Sequence, residues 1–180
     1  MNNNRLYLTG FMGSGKSTIA PILANTLGFS CIDMDKAIED FADKNISEIF
    51  SDFGEAYFRE LEESMLQKIS RQENCIISLG GGTIASGNNL NIVKSTGILI
   101  YLKTSVEQIM QRLKFKTDRP LIRSELGIVL DESHRFRHIT NLLTKREPYY
   151  NQAHLTIPTD NRKVGSTVDD IVEQLKQLGK

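Results

Sequence analysis

Several things are missing from this 180-residue chain, and each absence closes off a class of function. It has no net charge: 22 Lys and Arg offset 22 Asp and Glu. No overall field therefore draws it to nucleic acid or an anionic membrane, and any positive charge that matters must be local. No apolar run approaches the roughly 18–20 residues of a membrane span. The opening MNNNRLYLTG lacks the apolar core and cleavage pattern of a signal peptide, so a cytoplasmic protein is expected. Two cysteines without a Cys/His cluster offer no zinc site. Cys31 and Cys75 each lie in an apolar, strand-like run, and both are expected as buried, reduced thiols. No composition shift, internal repeat or long low-complexity tract marks a second core, so residues 1–180 read as a single domain.

What is present alternates. Short β-rich runs at Arg5 to Thr9, Phe29 to Asp33, Cys75 to Leu79, Ile98 to Leu102 and Leu155 to Ile157 are separated by amphipathic stretches, which indicates an α/β fold on a mostly parallel sheet. Three stripes recur at helical spacing and are expected to be core: Phe58, Leu61, Met65 and Ile69; Val106, Ile109, Met110 and Leu113; and Val168, Ile171, Val172, Leu175 and Leu178. Ser105 is placed to cap a helix, and Gly28 to end the one that begins near Lys16. Pro21 falls beyond the first turn of that helix, where a lost hydrogen bond predicts a local irregularity. The segment Lys114 to Gly127, KFKTDRPLIRSELG, has weak periodicity and three basic residues before Pro120, and reads as a mobile basic loop.

Gly10-Phe-Met-Gly-Ser-Gly15-Lys16-Ser17 matches the whole phosphate-loop pattern between a strand and a helix. Glycines let successive N–H groups point into one concavity, and the positive end of the following helix adds to the attraction for phosphate. Lys16 can reach the β and γ phosphates, and the Ser17 hydroxyl can ligate magnesium. The guanine-reading Asn-Lys-x-Asp of a GTPase is absent. So is the acid that a switch or motor ATPase places after a strand such as Cys75 to Leu79, which runs instead into Gly80-Gly81-Gly82. The acids sit elsewhere, at Asp33 and Asp35. On an extended chain their carboxylates share one side, at the sheet end where ligands bind. The alternative is that both simply start the next helix.

In order along nearly the whole chain, GFMGSGKST, DMD, FRELE at Phe58 to Glu62, GGGT at Gly80 to Thr83, RPL at Arg119 to Leu121 and KREPYY at Lys145 to Tyr150 resemble the shikimate kinases. The resemblance implies a three-layer αβα P-loop kinase fold: a five-stranded parallel sheet in the order 2-3-1-4-5, a substrate-binding region at about 34–62 and a mobile lid at about 114–127. It implies that Gly13, Ser14, Gly15, Lys16, Ser17 and Thr18 hold the phosphates of ATP. Ser17 and Asp33 would hold Mg²⁺, and Arg112 and Arg162 would lie near the adenine. Arg119 would close with the lid over the γ-phosphoryl group. Asp35, Arg59, Gly81 and Arg146 would bind shikimate, with Lys16, Asp35 and Arg119 as the catalytic set and Glu62 orienting Arg59.

Two guanidinium forks converging on one planar carboxylate make physical sense, because they bind it bidentately and select against neutral sugars. Plainer alternatives stand beside each assignment. Arg59 with Glu62 could be a surface pair, Gly80 to Gly82 a turn, Arg146 a helix-terminal base and Arg119 a solvated loop charge. The stretch from Arg119 to Arg146 is longer than the family pattern, so Arg135 and Arg137 compete with Arg146. His134, His138 and His154 match nothing catalytic and are expected at the surface or in helix packing.

The implied activity is Mg²⁺-dependent transfer of the ATP γ-phosphate to the 3-hydroxyl of shikimate by a monomer acting on small molecules. The rivals are another small-molecule P-loop kinase, such as a gluconate or nucleoside-monophosphate kinase, and a non-catalytic ATP-binding module.

Overall fold

The computed structural model describes residues 4–114 and 131–178. Five strands, β1 (Arg5–Thr9), β2 (Ser30–Asp33), β3 (Cys75–Ser78), β4 (Ile98–Lys103) and β5 (Leu155–Pro158), form one parallel sheet in the order β2-β3-β1-β4-β5. Parallel pairing demands crossovers, and helices supply them. These are α1 (Lys16–Leu27), α2 (Met34–Ala42), α3 (Ile46–Ile69), α4 (Asn89–Thr96), α5 (Val106–Leu113), α6 (Glu132–Tyr150) and α7 (Val164–Leu178), with a short 3₁₀ turn at Thr83–Ala85. The register sets Tyr7 between Ile77 and Leu99, so the central strand is paired on both edges.

Alternation along each strand divides the core in two. Leu6, Leu8, Ile76, Ile100 and Leu102 pack with Ile19, Leu23, Val168 and Ile171 of α1 and α7 on one face of the sheet. Tyr7, Ile77, Leu99 and Tyr101 pack with Met34, Phe58, Leu66 and Tyr150 of α2, α3 and α6 on the other. This is the three-layer arrangement expected, and the second face carries the elements that meet at the site. Phe11 joins Ile109, Leu113 and Ile139 in a smaller cluster beneath α5 and α6.

The helix signals act as expected at Ser105, whose side chain accepts from the Gln108 amide, and at Gly28, which ends α1 at φ 68°. Pro21 does not. The helix α1 runs unbroken through it, and the bond that Pro21 cannot donate would have gone to the carbonyl of Ser17, an exposed residue of the first turn. The real irregularity is in α3, where Gly54 at φ 80°, ψ 174° breaks the helix between Phe53 and Glu55.

Cys75 is buried, but Cys31 is exposed, contrary to expectation, because β2 is an edge strand paired only with β3. The stripes are core except at their end: Leu178 is half exposed. The lid segment beyond Lys114, with Arg119, Pro120 and Gly127, lies outside the described residues. Among the described residues no helix is long and apolar enough to cross a membrane.

Candidate active site

The carboxyl ends of β1, β2 and β3 open into one cleft of about 1840 Å³, larger than the roughly 300–1,000 Å³ of a pocket for one small ligand. At one end lies the phosphate loop. Gly15 caps α1 in a left-handed conformation (φ 102°) that a side chain would strain, and it brings no side-chain acceptor to the first amides of the helix. The N-terminus of α1 is thus presented to the cleft as an anion site. Gly13, Ser17 and Thr18 line it with Lys16, whose ammonium donates to the carbonyls of Gly10 at 2.7 Å and Phe11 at 3.2 Å. Ser14 lines it too, although it is 1% exposed.

The two acids reach the cleft by a different route from the one expected. They do not share the face of an extended strand. Asp33 ends β2 and caps α2, its Oδ1 accepting from the Lys36 amide at 3.2 Å, and Asp35 stands in the first turn of that helix. The helix-start reading describes their backbone, yet both side chains line the cleft. Asp35 lies against the glycine triplet: a Cβ on Gly80 would stand 2.8 Å from its Oδ1, 3.0 Å from the Thr83 hydroxyl and 3.4 Å from Glu62. A side chain at Gly80 would therefore displace the acid.

The same triplet gathers the arginines. A Cβ on Gly82 would be 3.2 Å from both terminal nitrogens of Arg59 and 3.4 Å from Arg146, while one on Gly81 would be 3.4 Å from Arg146. Arg146 also lies over the Phe11 ring at 5.7 Å. Arg135 and Arg137 do not line the cleft, so of the three competing arginines Arg146 is the one that the fold delivers.

Arg59 is held by two glutamates. Nη1 donates to Glu62 at 2.8 Å, while Nε and Nη2 donate to Glu55 at 3.3 and 3.0 Å. Glu62 is 1% exposed and also accepts from the Thr83 hydroxyl at 2.6 Å. Burial pulls the Arg59 pKa down, but the hydrogen bond and charge of Glu62, then those of Glu55, outweigh it and leave the group above its ordinary value. Arg59 with Glu62 is thus no surface pair.

Behind the triplet, the buried Tyr150 stacks on Tyr101 with ring centres 4.9 Å apart and donates its hydroxyl to the Gly81 carbonyl. Burial, opposed by Arg146, pushes the phenol up to about 12, so it keeps the proton that this bond requires.

At the far wall, Arg112 donates to the Gly13 carbonyl at 2.9 Å and to the Thr159 carbonyl at 2.6 Å, tying α5 to the phosphate loop. Arg162 pairs with Asp170 at 2.7 Å and depresses its carboxyl pKa. Both arginines line the cleft. Asp131 caps α6 by accepting from the His134 amide, and His154 Nδ1 accepts from the Leu99 amide, so that both histidines lie away from the cleft. Of the sequence-predicted residues, all but Arg119, which is not among the described residues, line this cleft.

Two residues that shape the site were not picked out from sequence: Glu55, and Phe50, whose ring meets Phe58 at 4.7 Å across the α3 break. Gly80, Gly82, Thr83 and Tyr150 stood inside the sequence motifs, but nothing local announced their partners.

A family model described as shikimate kinase matches residues 12–176. A shikimate kinase of Chlorobium phaeobacteroides is 44% identical over 176 residues, 98% of this chain and 93% of that one. The solved shikimate kinase of Bacteroides thetaiotaomicron superposes with a TM-score of 0.88 at 33% identity, covering 96% of this chain and 98% of that one. That of Acinetobacter baumannii, solved in complex with shikimate, gives 0.87 at 32% identity over 96% of this chain and 93% of that one.

Proposed function

Since the chain belongs to the shikimate kinase family, we propose that its cleft transfers the γ-phosphoryl group of ATP to the 3-hydroxyl of shikimate, releasing shikimate 3-phosphate and ADP. The observation that carries this reading is the meeting of Arg59, Arg146 and Asp35 at Gly80–Gly82, in the same cleft as the phosphate loop. The arginines take the substrate carboxylate, and Asp35 takes the hydroxyl that will attack. Gly81 offers backbone where a side chain would crowd Arg146.

The transition state of phosphoryl transfer is loose, so catalysis is positioning and charge neutralisation rather than covalent work. The loop amides at Gly13, Ser14, Gly15, Ser17 and Thr18 and the Lys16 ammonium hold the ATP phosphates. Asp35 sets the hydroxyl in line and receives its proton as bond formation nears completion. Arg119 is the cation proposed to meet the γ-phosphoryl group, and Arg112 and Arg162 flank the adenine end.

Magnesium fits the donor set. Ser17 and Asp33 present hard oxygens, and among the described residues no cluster of three or more His, Cys, Asp or Glu competes as a closed metal cage. That pattern suits an ion carried largely by nucleotide phosphates and water. When bound, Mg²⁺ neutralises charge on the β and γ oxygens. Substrates are small molecules, the working unit is a monomer and the compartment is the cytoplasm.

The test is a coupled assay of ATP consumption with shikimate, gluconate and nucleoside monophosphates in turn, with and without EDTA. Turnover with shikimate alone, abolished by EDTA, is expected. Turnover only with gluconate or a nucleotide would overturn the substrate, and ATP binding without consumption would make the chain a regulatory module.

A further inference from the structure

Arg59 is paired with two acids of very different standing. Glu62 is 2% exposed at its side chain and shares its second oxygen with Thr83, so it cannot leave without stranding buried charge. Glu55 is 67% exposed, and its single oxygen Oε1 spans the Nε–Nη2 side of the guanidinium fork. That side is one of the two edges by which an arginine grips a carboxylate bidentately. Exposed pairs four residues apart on a helix are weak and screened by salt. Glu55 also follows directly on Gly54, where α3 is broken, so it begins the second half of the helix instead of sitting inside a continuous one. It lines the cleft with Arg59 and Arg146.

Two arginines approach the glycine triplet, and among the described residues Arg146 forms no ion pair, whereas Arg59 has two. A substrate carboxylate that takes the Nε–Nη2 edge of Arg59 replaces Glu55 charge for charge, while Glu62 stays in place.

We infer that Glu55 is an internal carboxylate that competes with the substrate's own for Arg59, so that it limits which acids the site admits. The inference rests on the substrate reading above. Displacing Glu55 costs the same whichever acid enters, so every acid loses affinity by one factor, and shikimate, which also brings hydroxyls to Asp35, keeps enough to bind where a bare carboxylate does not. Glu55 acts through Arg59 and is a positioning residue. The rival role, a helix pair that merely steadies Arg59, predicts the opposite sign.

The experiment measures shikimate KM and ATP KM for the wild type, Glu55→Gln and Glu55→Ala. It also measures the inhibition constant of cyclohex-1-ene-1-carboxylate, the same acid without hydroxyls. The expected result is that the ratio of shikimate KM to ATP KM falls about threefold in both variants, with inhibition by the bare acid strengthened by about the same factor. A shikimate KM that rises or stays unchanged in both variants overturns the competition. A wild-type enzyme that does not turn over shikimate overturns the substrate reading itself, so the two failures are told apart.

Discussion

At the phosphate end of the cleft, one unbroken stretch from Gly10 to Thr18 supplies loop, ammonium and hydroxyl. At the acid end, Arg59 comes from α3, the glycines and Thr83 from the turn after β3, and Arg146 and Tyr150 from the last turns of α6. The first is largely backbone, shaped by glycine conformation. The second is side chains holding one another: Tyr150 reaches Gly81 across 69 residues, and Thr83 reaches Glu62 across 21. A site made of backbone tolerates change in its surroundings, whereas a site of interlocked side chains transmits it. The two ends should therefore fail differently.

The largest effect is expected from Lys16→Ala, which removes the ammonium proposed to hold the transferring phosphoryl group. The kcat should fall by about 10²–10³-fold, with shikimate affinity in calorimetry little changed. A parallel loss of shikimate affinity would break the separation of the two ends. Next, Arg59→Ala and Arg146→Ala each remove a charge-assisted pair worth about 1.5–3 kcal/mol, so shikimate kcat/KM should drop about 10–100-fold while the ATP KM stays within a factor of two. Steady-state kinetics with each substrate varied in turn checks this, and an equal rise in both KM values would mean that the ends are not separate.

Glu62→Gln probes how the acid end transmits change. Loss of the buried carboxylate leaves Arg59 without its main partner, so a destabilisation of about 3 kcal/mol is expected, at the low end for a buried pair because the Arg59 side chain is 25% exposed. Calorimetry should record a melting temperature lower by about 6–12 °C, with a raised shikimate KM. An unchanged melting temperature would mean that Glu62 only tunes the clamp.

The smallest effect concerns His154, between α6 and β5, whose Nδ1 must be unprotonated to accept from Leu99. Burial, then Lys94, pushes its pKa below 6.5. The unfolded chain therefore binds the proton more readily, and the contribution of His154 to stability is present above pH 6.5 and lost as pH falls through the lower folded value. Urea midpoints should decline slightly below about pH 6.5 in the wild type and less in His154→Gln, which keeps an acceptor but does not titrate. Equal declines would put the titration elsewhere.

Legibility divided along the same line. The phosphate loop, the five strands, the Ser105 and Gly28 caps and most of the apolar stripes could be read directly, because each depends on neighbours within a few residues. Motif order placed Arg59, Gly81 and Arg146 in one site only through resemblance. The acids do line the cleft, but not by the extended geometry expected, since the Asp33 cap turned the chain helical before Asp35. Cys31 was misjudged because nothing local says which strand takes the sheet edge, and Pro21 because nothing local says that its helix face is wet.

By itself the sequence determined that phosphate is held, and by which loop, since φ/ψ freedom and helix direction are properties of a short segment. Only the tertiary structure decided that a side chain at Gly80 would meet Asp35, that Glu62 is buried between Arg59 and Thr83, and that Glu55 and not solvent faces the open side of Arg59. Those are contacts between segments brought together by sheet order and helix packing, and burial changes what a charge is worth.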